Sequence, residues 1–194
     1  MKVIGITGGI ASGKSYISNL LISIGYIVID CDKIVHDLLL NKDVIENIKQ
    51  TFGLSVIANE NVDRKKLGKI IFNNKNEELK LNSIIHPLVI DEVNNRIRKT
   101  NEDIVFVDVP LLYEANMEYI MDKVIVVYVD KPTQLLRLMS RDSIDSEFAN
   151  KKISIQMSLE EKVKKADYII DNSKDFLDSQ KQLYEILRRI RDEI

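Results

Sequence analysis

Five runs along the chain are dominated by valine and isoleucine: KVIGIT (2–7), YIVID (26–30), DIVFVDV (103–109), KVIVVYV (123–129) and DYIID (167–171). None shows the polar alternation of a half-solvated strand, so each is expected to be a strand buried on both faces, as in a parallel sheet covered by helices. Elsewhere the period changes to three and four. Ile17, Leu20, Leu21 and Ile24 fall at i, i+3, i+4 and i+7 with Gly25 as the stop, and Phe176, Gln180, Leu183, Leu187, Ile190 and Ile194 form the stripe of a final amphipathic helix. From 32 to 102 the pattern is helical without a convincing strand, and it breaks at FGLSVIANENVD and at His86-Pro87. Strands alternating with helices predict an α/β fold, a three-layer α/β/α arrangement around a five-stranded parallel sheet, with a helical insert at about 32–102. No internal repeat or low-complexity linker interrupts the 194 residues, and a single domain is expected.

Charge narrows the possible ligands. With 28 Lys and Arg against 30 Asp and Glu, a net charge of -2 provides no bulk attraction for nucleic acid or for an anionic membrane, so any anionic ligand must be held locally. A lone cysteine, Cys31, cannot form an intramolecular disulfide and suits a reducing, cytoplasmic setting; it reads as a small packed side chain. The start MKVIGITGG is unlike a signal peptide, and charges interrupt every other apolar run before it could span a bilayer, so a soluble protein is expected. Two histidines and one cysteine offer no zinc-ligand cluster.

The chemistry is concentrated after the first strand. Gly8-Gly9-Ile10-Ala11-Ser12-Gly13-Lys14-Ser15 fits G-x-x-x-x-G-K-[ST], with an apolar strand before it and an amphipathic helix after it. Such a loop points its N–H groups inward, and the helix N-terminus adds its positive dipole, so β- and neighbouring phosphates are cradled. Lys14 is expected to reach the β- and γ-phosphates and Ser15 to ligate Mg²⁺, with nucleotide contacts extending from Gly8 to Tyr16. A glycine turn that only joins strand to helix is the plainer reading. The last glycine of the chain is Gly68, so neither the Asp-x-x-Gly switch of a GTPase nor a transporter ATPase signature follows the later strands, and no Asn-Lys-x-Asp segment is present. A small kinase becomes the leading class.

A kinase needs a base beside the acceptor hydroxyl, and in open α/β sheets ligands sit at the carboxyl ends of strands. YIVIDCD ends the second strand with Asp30 and Asp32. Asp32 is the catalytic candidate, against the reading that it only caps a helix starting near Lys33. IVFVDVPLLYE ends a strand at Asp108, the form of a Walker-B carboxylate near Mg²⁺; the competing reading is a carboxylate held by the loop backbone. TQLLRLMSR sets Arg137 and Arg141 on one helical face, and DSIDSEFANKKISIQ follows as a second helix. Two tandem helices at about 140–162 read as a hinged lid whose arginines neutralise phosphate charge, or as cations that merely favour a helix C-terminus. Arg64, after the expected cap Asp63, reads as a solvated residue or a substrate clamp. His86, biased toward extended backbone by Pro87, reads as a buried hydrogen-bonding histidine more readily than as a catalyst.

The segments GITGGIASGKSY, VIDCDKIVHDLL, VDRKKLGKIIF, LNSIIHPLV, VPLLYE, TQLLRLMSRD and ADYIIDN occur in an order and spacing that resembles the dephospho-CoA kinase family, from Ile4 to Asn172. The resemblance implies a P-loop NTPase fold and transfer of the ATP γ-phosphoryl group to the ribose 3′-hydroxyl of 3′-dephospho-CoA. It also implies Asp32 as general base, Arg64, His86 and Pro87 on the acceptor side, and Arg141 at the lid. The expected partners are ATP with Mg²⁺ and 3′-dephospho-CoA, for a protein acting as a monomer or weak homo-oligomer. This sequence departs from the family's usual pattern at several places: Ala11 replaces a glycine, Tyr16 a threonine, Cys31 an alanine, and Lys152 an arginine. Ala11 is tolerable if its φ is negative, and Lys152 forgoes bidentate phosphate binding. The final helix is expected to close the chain with no second domain. A nucleoside or nucleoside-monophosphate kinase is the alternative enzyme, although IVHDLL and the insert offer few of the arginines that would grip a monophosphate; a nucleotide-dependent switch would need a switch glycine, which is absent.

Overall fold

The computed structural model describes residues 1–72 and 74–193. In chain order the elements are β1 (Lys2–Gly8), α1 (Lys14–Ser23), β2 (Ile27–Asp30), α2 (Cys31–Leu38), α3 (Lys42–Phe52), β3 (Ile57–Ala58), β4 (Asn61–Val62), α4 (Arg64–Phe72) and α5 (Lys75–Lys99). These are followed by β5 (Ile104–Asp108), β6 (Lys123–Tyr128), α6 (Lys131–Asp142), α7 (Ser146–Ser154), α8 (Leu159–Lys165), β7 (Tyr168–Asp171) and α9 (Phe176–Asp192). Two compact units emerge, residues 1–30 together with 99–194, and residues 31–98.

The first unit is a five-stranded, all-parallel sheet in the order β2-β5-β1-β6-β7. Strand β1 is central, and the chain moves to β5 on one side and β6 on the other, so the order reverses beside it. Ligand crevices form at such a point, at the carboxyl ends of the strands. Alternate residues of β1 serve opposite layers. Ile4 and Ile6 are buried with Ile17 and Leu21 of α1 and with Leu183, Leu187 and Ile190 of α9. On the other face a side chain at Gly5 would meet Leu112 and Met121, and α8 packs against β6. The central strands are buried along nearly their whole length, but β2 and β7 keep exposed residues such as Ile27 and Ile169. The expectation of burial on both faces fails for these two because they are the edges of the sheet.

Helix α1 ends where Gly25 takes φ +95°, and α9 is capped by Asp175, which accepts from the Leu177 N–H. Leu183, Leu187 and Ile190 of the α9 stripe are buried, whereas Phe176 is exposed and packs at a tilt against Tyr16 with ring centroids 4.8 Å apart. Ile194, the last residue of the expected stripe, lies outside the described residues.

The second unit is mainly helical, with Val44, Ile48, Val56, Leu67, Ile85, Val89 and Val93 among its buried residues. Two features differ from the sequence expectation. FGLSVIANENVD contains a 3₁₀ turn (Leu54–Val56) and the two-residue strands β3 and β4, joined through Asn59 and Glu60 at positive φ, the geometry of a tight primed hairpin. Strands of two residues carry too little periodicity to be read. Helix α5 runs unbroken through His86 and Pro87. Pro87 removes one helical hydrogen bond, but the buried stripe Ile85, Val89, Val93 and Ile97 continues across it, and packing holds the helix together. Among the described residues no helix is long and apolar enough to cross a membrane.

Candidate active site

Strand β1 delivers the glycine-rich loop to the carboxyl edge of the sheet, and α1 starts at Lys14. No side chain caps α1, and its N-cap, Gly13, has φ +89°. A side chain there would also stand 2.0 Å from Asn172 Nδ2, so only glycine fits. Asn172, at the end of β7, donates from that nitrogen to Ser12 O at 2.8 Å. Of the loop's backbone groups, the Ser12 N–H donates to Gly9 O, and the Ile10 N–H and C=O are bonded by Gln156 and Gln134. The N–H groups of Ala11, Gly13, Lys14 and Ser15 enter none of the loop's hydrogen bonds to described residues. They are the donors available to an anion, at the positive end of a ten-residue helix.

Ala11 has φ +60°. The condition under which alanine would be harmless is not met, and a left-handed alanine costs roughly 1–2 kcal/mol against glycine in the same place.

The ammonium of Lys14 is paired with Asp108 Oδ1, and Ser18 Oγ donates to Asp108 Oδ2 at 2.6 Å. Asp108 is 7% exposed and ends β5 in register with Ile6 of β1 and Asp30 of β2. Parallel pairing therefore brings the loop lysine and the strand-end carboxylate together from 94 residues apart. Ser18, one helical turn beyond the loop, was not evident as a site residue in the sequence. Ser15 is exposed at the start of α1.

Lys162 is the other cation of this region, and it is fully buried. Its Nζ donates to Gly8 O at 3.2 Å, to Pro110 O at 3.1 Å and to Glu114 Oε1 at 3.0 Å, tying α8 to the ends of β1 and β5. Burial pushes its ammonium below the usual lysine range, Lys14 adds to that, and Glu114 opposes it. Glu114 Oε1 also accepts from the Met157 N–H at 2.9 Å. One sequence signal points to this residue: Ser158 and Glu161 form a capping box that starts α8, which places Lys162 three residues after the buried Leu159 on an otherwise apolar helix face.

The two tandem helices expected from the sequence are α6 and α7, and the bounds of about 140–162 also take in the start of a separate helix, α8. Arg141 is 56% exposed, and its Nε donates to Asp142 Oδ1 at 2.9 Å. Lys152 donates to Asp142 Oδ2 at 2.7 Å, so it joins α7 to the end of α6. Hydrogen bonds from Arg141 and then Lys152 hold the Asp142 carboxyl down to about 2.

In the second unit Cys31 is buried and begins α2, which puts Asp32 inside its first turn rather than before a helix starting near Lys33. Asp63 caps α4, accepting from the Lys65 and Lys66 N–H groups, and Arg64 is the first residue of that helix. Arg64 Nη1 lies 3.1 Å from His36 Nδ1 and shares no hydrogen bond with His86. His86 is half-buried on α5, and burial pushes its imidazolium below the usual histidine range, with Glu78 opposing.

Residues 2–178 match the dephospho-CoA kinase family. A curated relative of that name from Carboxydothermus hydrogenoformans is 41% identical over 194 residues, covering 97% of this chain and 94% of its own. Another, from Fusobacterium nucleatum, is 45% identical over 179 residues, covering 92% and 93%. The solved dephospho-CoA kinase of Campylobacter jejuni superposes with a TM-score of 0.73 at 33% identity over 99% of this chain and 98% of that one. A match of this extent is not a shared loop alone: the chain belongs to the dephospho-CoA kinase family.

Proposed function

We propose that the chain transfers the γ-phosphoryl group of ATP to the ribose 3′-hydroxyl of 3′-dephospho-CoA, giving CoA and ADP, through the residues assembled around its glycine-rich loop. The observation that carries this reading is the pairing of Lys14 with Asp108 beside four unengaged loop N–H groups, in a chain whose family match spans residues 2–178. A loop of this kind binds a triphosphate by backbone donors and one movable cation.

With ATP in place, the N–H groups of Ala11, Gly13, Lys14 and Ser15 hold the β- and γ-phosphates. Lys14 exchanges Asp108 for a phosphate oxygen and follows the charge as it moves to the leaving oxygen. Ser15 and Asp108 would hold Mg²⁺ through a hydroxyl and a carboxylate, hard oxygen donors of the kind that ion takes. Bound there, Mg²⁺ would supply charge neutralisation to the triphosphate. Asp32 takes the proton of the acceptor 3′-hydroxyl; that oxygen bonds to the γ-phosphorus while the bond to the bridging oxygen breaks and ADP departs. Arg64, His86 and Pro87 are assigned to the acceptor. Arg141 releases Asp142 to meet the transferred phosphoryl group and helps exclude water. The single cysteine supports a cytoplasmic setting.

The test is ADP release by the purified protein with Mg²⁺-ATP and a panel of acceptors. Turnover with 3′-dephospho-CoA and none with AMP or nucleosides is expected. Turnover confined to a nucleoside or monophosphate would overturn the reading.

A further inference from the structure

Ile10 has both peptide groups committed to side chains from far along the chain. Its N–H donates to Gln156 Oε1 at 2.8 Å, and its C=O accepts from Gln134 Nε2, also at 2.8 Å. Gln134 lies on α6 and is 5% exposed; Gln156 lies in the connection between α7 and α8. Gly9 leaves room for this approach, because a side chain there would come within 2.6 Å of Gln134 Nε2. The α7–α8 connection is pinned a second time by the Met157 N–H on Glu114. The residue that follows the doubly bonded one is Ala11, at φ +60°. A left-handed alanine persists only where its surroundings over-determine it.

We propose that Gln134 and Gln156 are positioning residues of the phosphoryl transfer. By fixing the peptide groups of Ile10 they hold Ala11 in its left-handed conformation, and so keep the N–H groups of Ala11, Gly13, Lys14 and Ser15 directed at the nucleotide phosphates. Neither glutamine needs to touch the nucleotide. When either bond is lost, Ala11 relaxes toward negative φ, the peptide on its amino side turns, and the loop meets the phosphates with its donors misdirected. Glycine at position 11 would adopt the left-handed conformation unaided, which makes the clamp dispensable. The proposal rests on the loop being the ATP site.

That dependence on residue 11 provides the test. Both glutamines line a cavity of about 300 Å³, with Asn150 and Ser158 among its other walls, so water can enter when either side chain is shortened. Gln134→Ala and Gln156→Ala are made in the natural chain and in the Ala11→Gly background, and steady-state kinetics with Mg²⁺-ATP and 3′-dephospho-CoA are run beside thermal melts. In the natural chain each variant is expected to raise the ATP KM roughly tenfold, the upper range for one lost hydrogen bond, while the acceptor KM stays within about twofold. In the Ala11→Gly background the rise is expected to shrink to about twofold. An equal rise in both backgrounds overturns the proposal, as does a lowered Tm with an unmoved ATP KM. Wild-type protein that forms no CoA at all instead sinks the proposed activity, a result read before any variant is compared.

Discussion

Replacing Lys162 by methionine removes a buried charge and little volume. Methionine follows the same unbranched path, so the cavity left is small and the loss is almost wholly that of the ammonium. Three acceptors are abandoned: Gly8 O, Pro110 O and Glu114 Oε1. Pro110 O keeps the Thr7 hydroxyl at 3.1 Å, and Glu114 keeps the Met157 N–H, so neither is left bare. Breaking a buried ion pair from one side costs about 3–5 kcal/mol, and the retained partners favour the lower end, about 3 kcal/mol. For a chain of this length each kcal/mol corresponds to roughly 2–4 °C in Tm, which gives a fall of about 6–12 °C by calorimetry. Adding Glu114→Gln to Lys162→Met removes the unpaired carboxylate and should recover about 1–2 kcal/mol. A loss below about 1 kcal/mol for Lys162→Met, or no recovery in the double variant, would refute the claim that this lysine ties α8 to the ends of β1 and β5.

Other expectations follow from single positions. Gly13→Ala places a side chain 2.0 Å from Asn172 Nδ2 at φ +89°, so ATP binding by calorimetric titration should fall at least tenfold. Asp32→Asn should lower kcat by on the order of 10² while the ATP KM changes little, as general-base removal requires; an equal loss of ATP affinity would mark Asp32 as a residue of the nucleotide site instead. His86 has a folded pKa below its unfolded value near 6.5, so the unfolded chain binds the extra proton first. Stability contributed by the neutral imidazole is complete above that pH and declines as pH falls toward the folded pKa. His86→Asn should flatten the fall in Tm as the pH drops below about 6.5, measured against wild type in the same buffers.

The readable parts of the sequence are those where neighbouring residues cooperate. Unbroken apolar runs announced β1, β5 and β6, and the loop motif between a strand and an amphipathic helix placed Lys14 without reference to the rest of the chain. Asp108, which pairs with Lys14, stands out in the sequence because a carboxylate ends an apolar strand. What escaped was held by tertiary partners. Lys162, Gln134, Gln156 and Asn172 serve the loop from 124 to 160 residues away, and nothing local distinguishes a glutamine that clamps a backbone from one in water. Pro87 reads as a break, yet packing of α5 on both sides outweighs one missing hydrogen bond. The conformation of Ala11 was equally hidden, since it follows from bonds to Ile10 and not from alanine's own preference.

The most direct test of the account uses ATP labelled with ¹⁸O in the γ-phosphoryl group, 3′-dephospho-CoA and the purified protein, with the product analysed by mass and fragmentation. CoA carrying the label on a new ribose 3′-phosphate is expected, formed with an equal amount of ADP and absent with Lys14→Ala. Label released as inorganic phosphate with dephospho-CoA unchanged, or found at any other position of the acceptor, would contradict it.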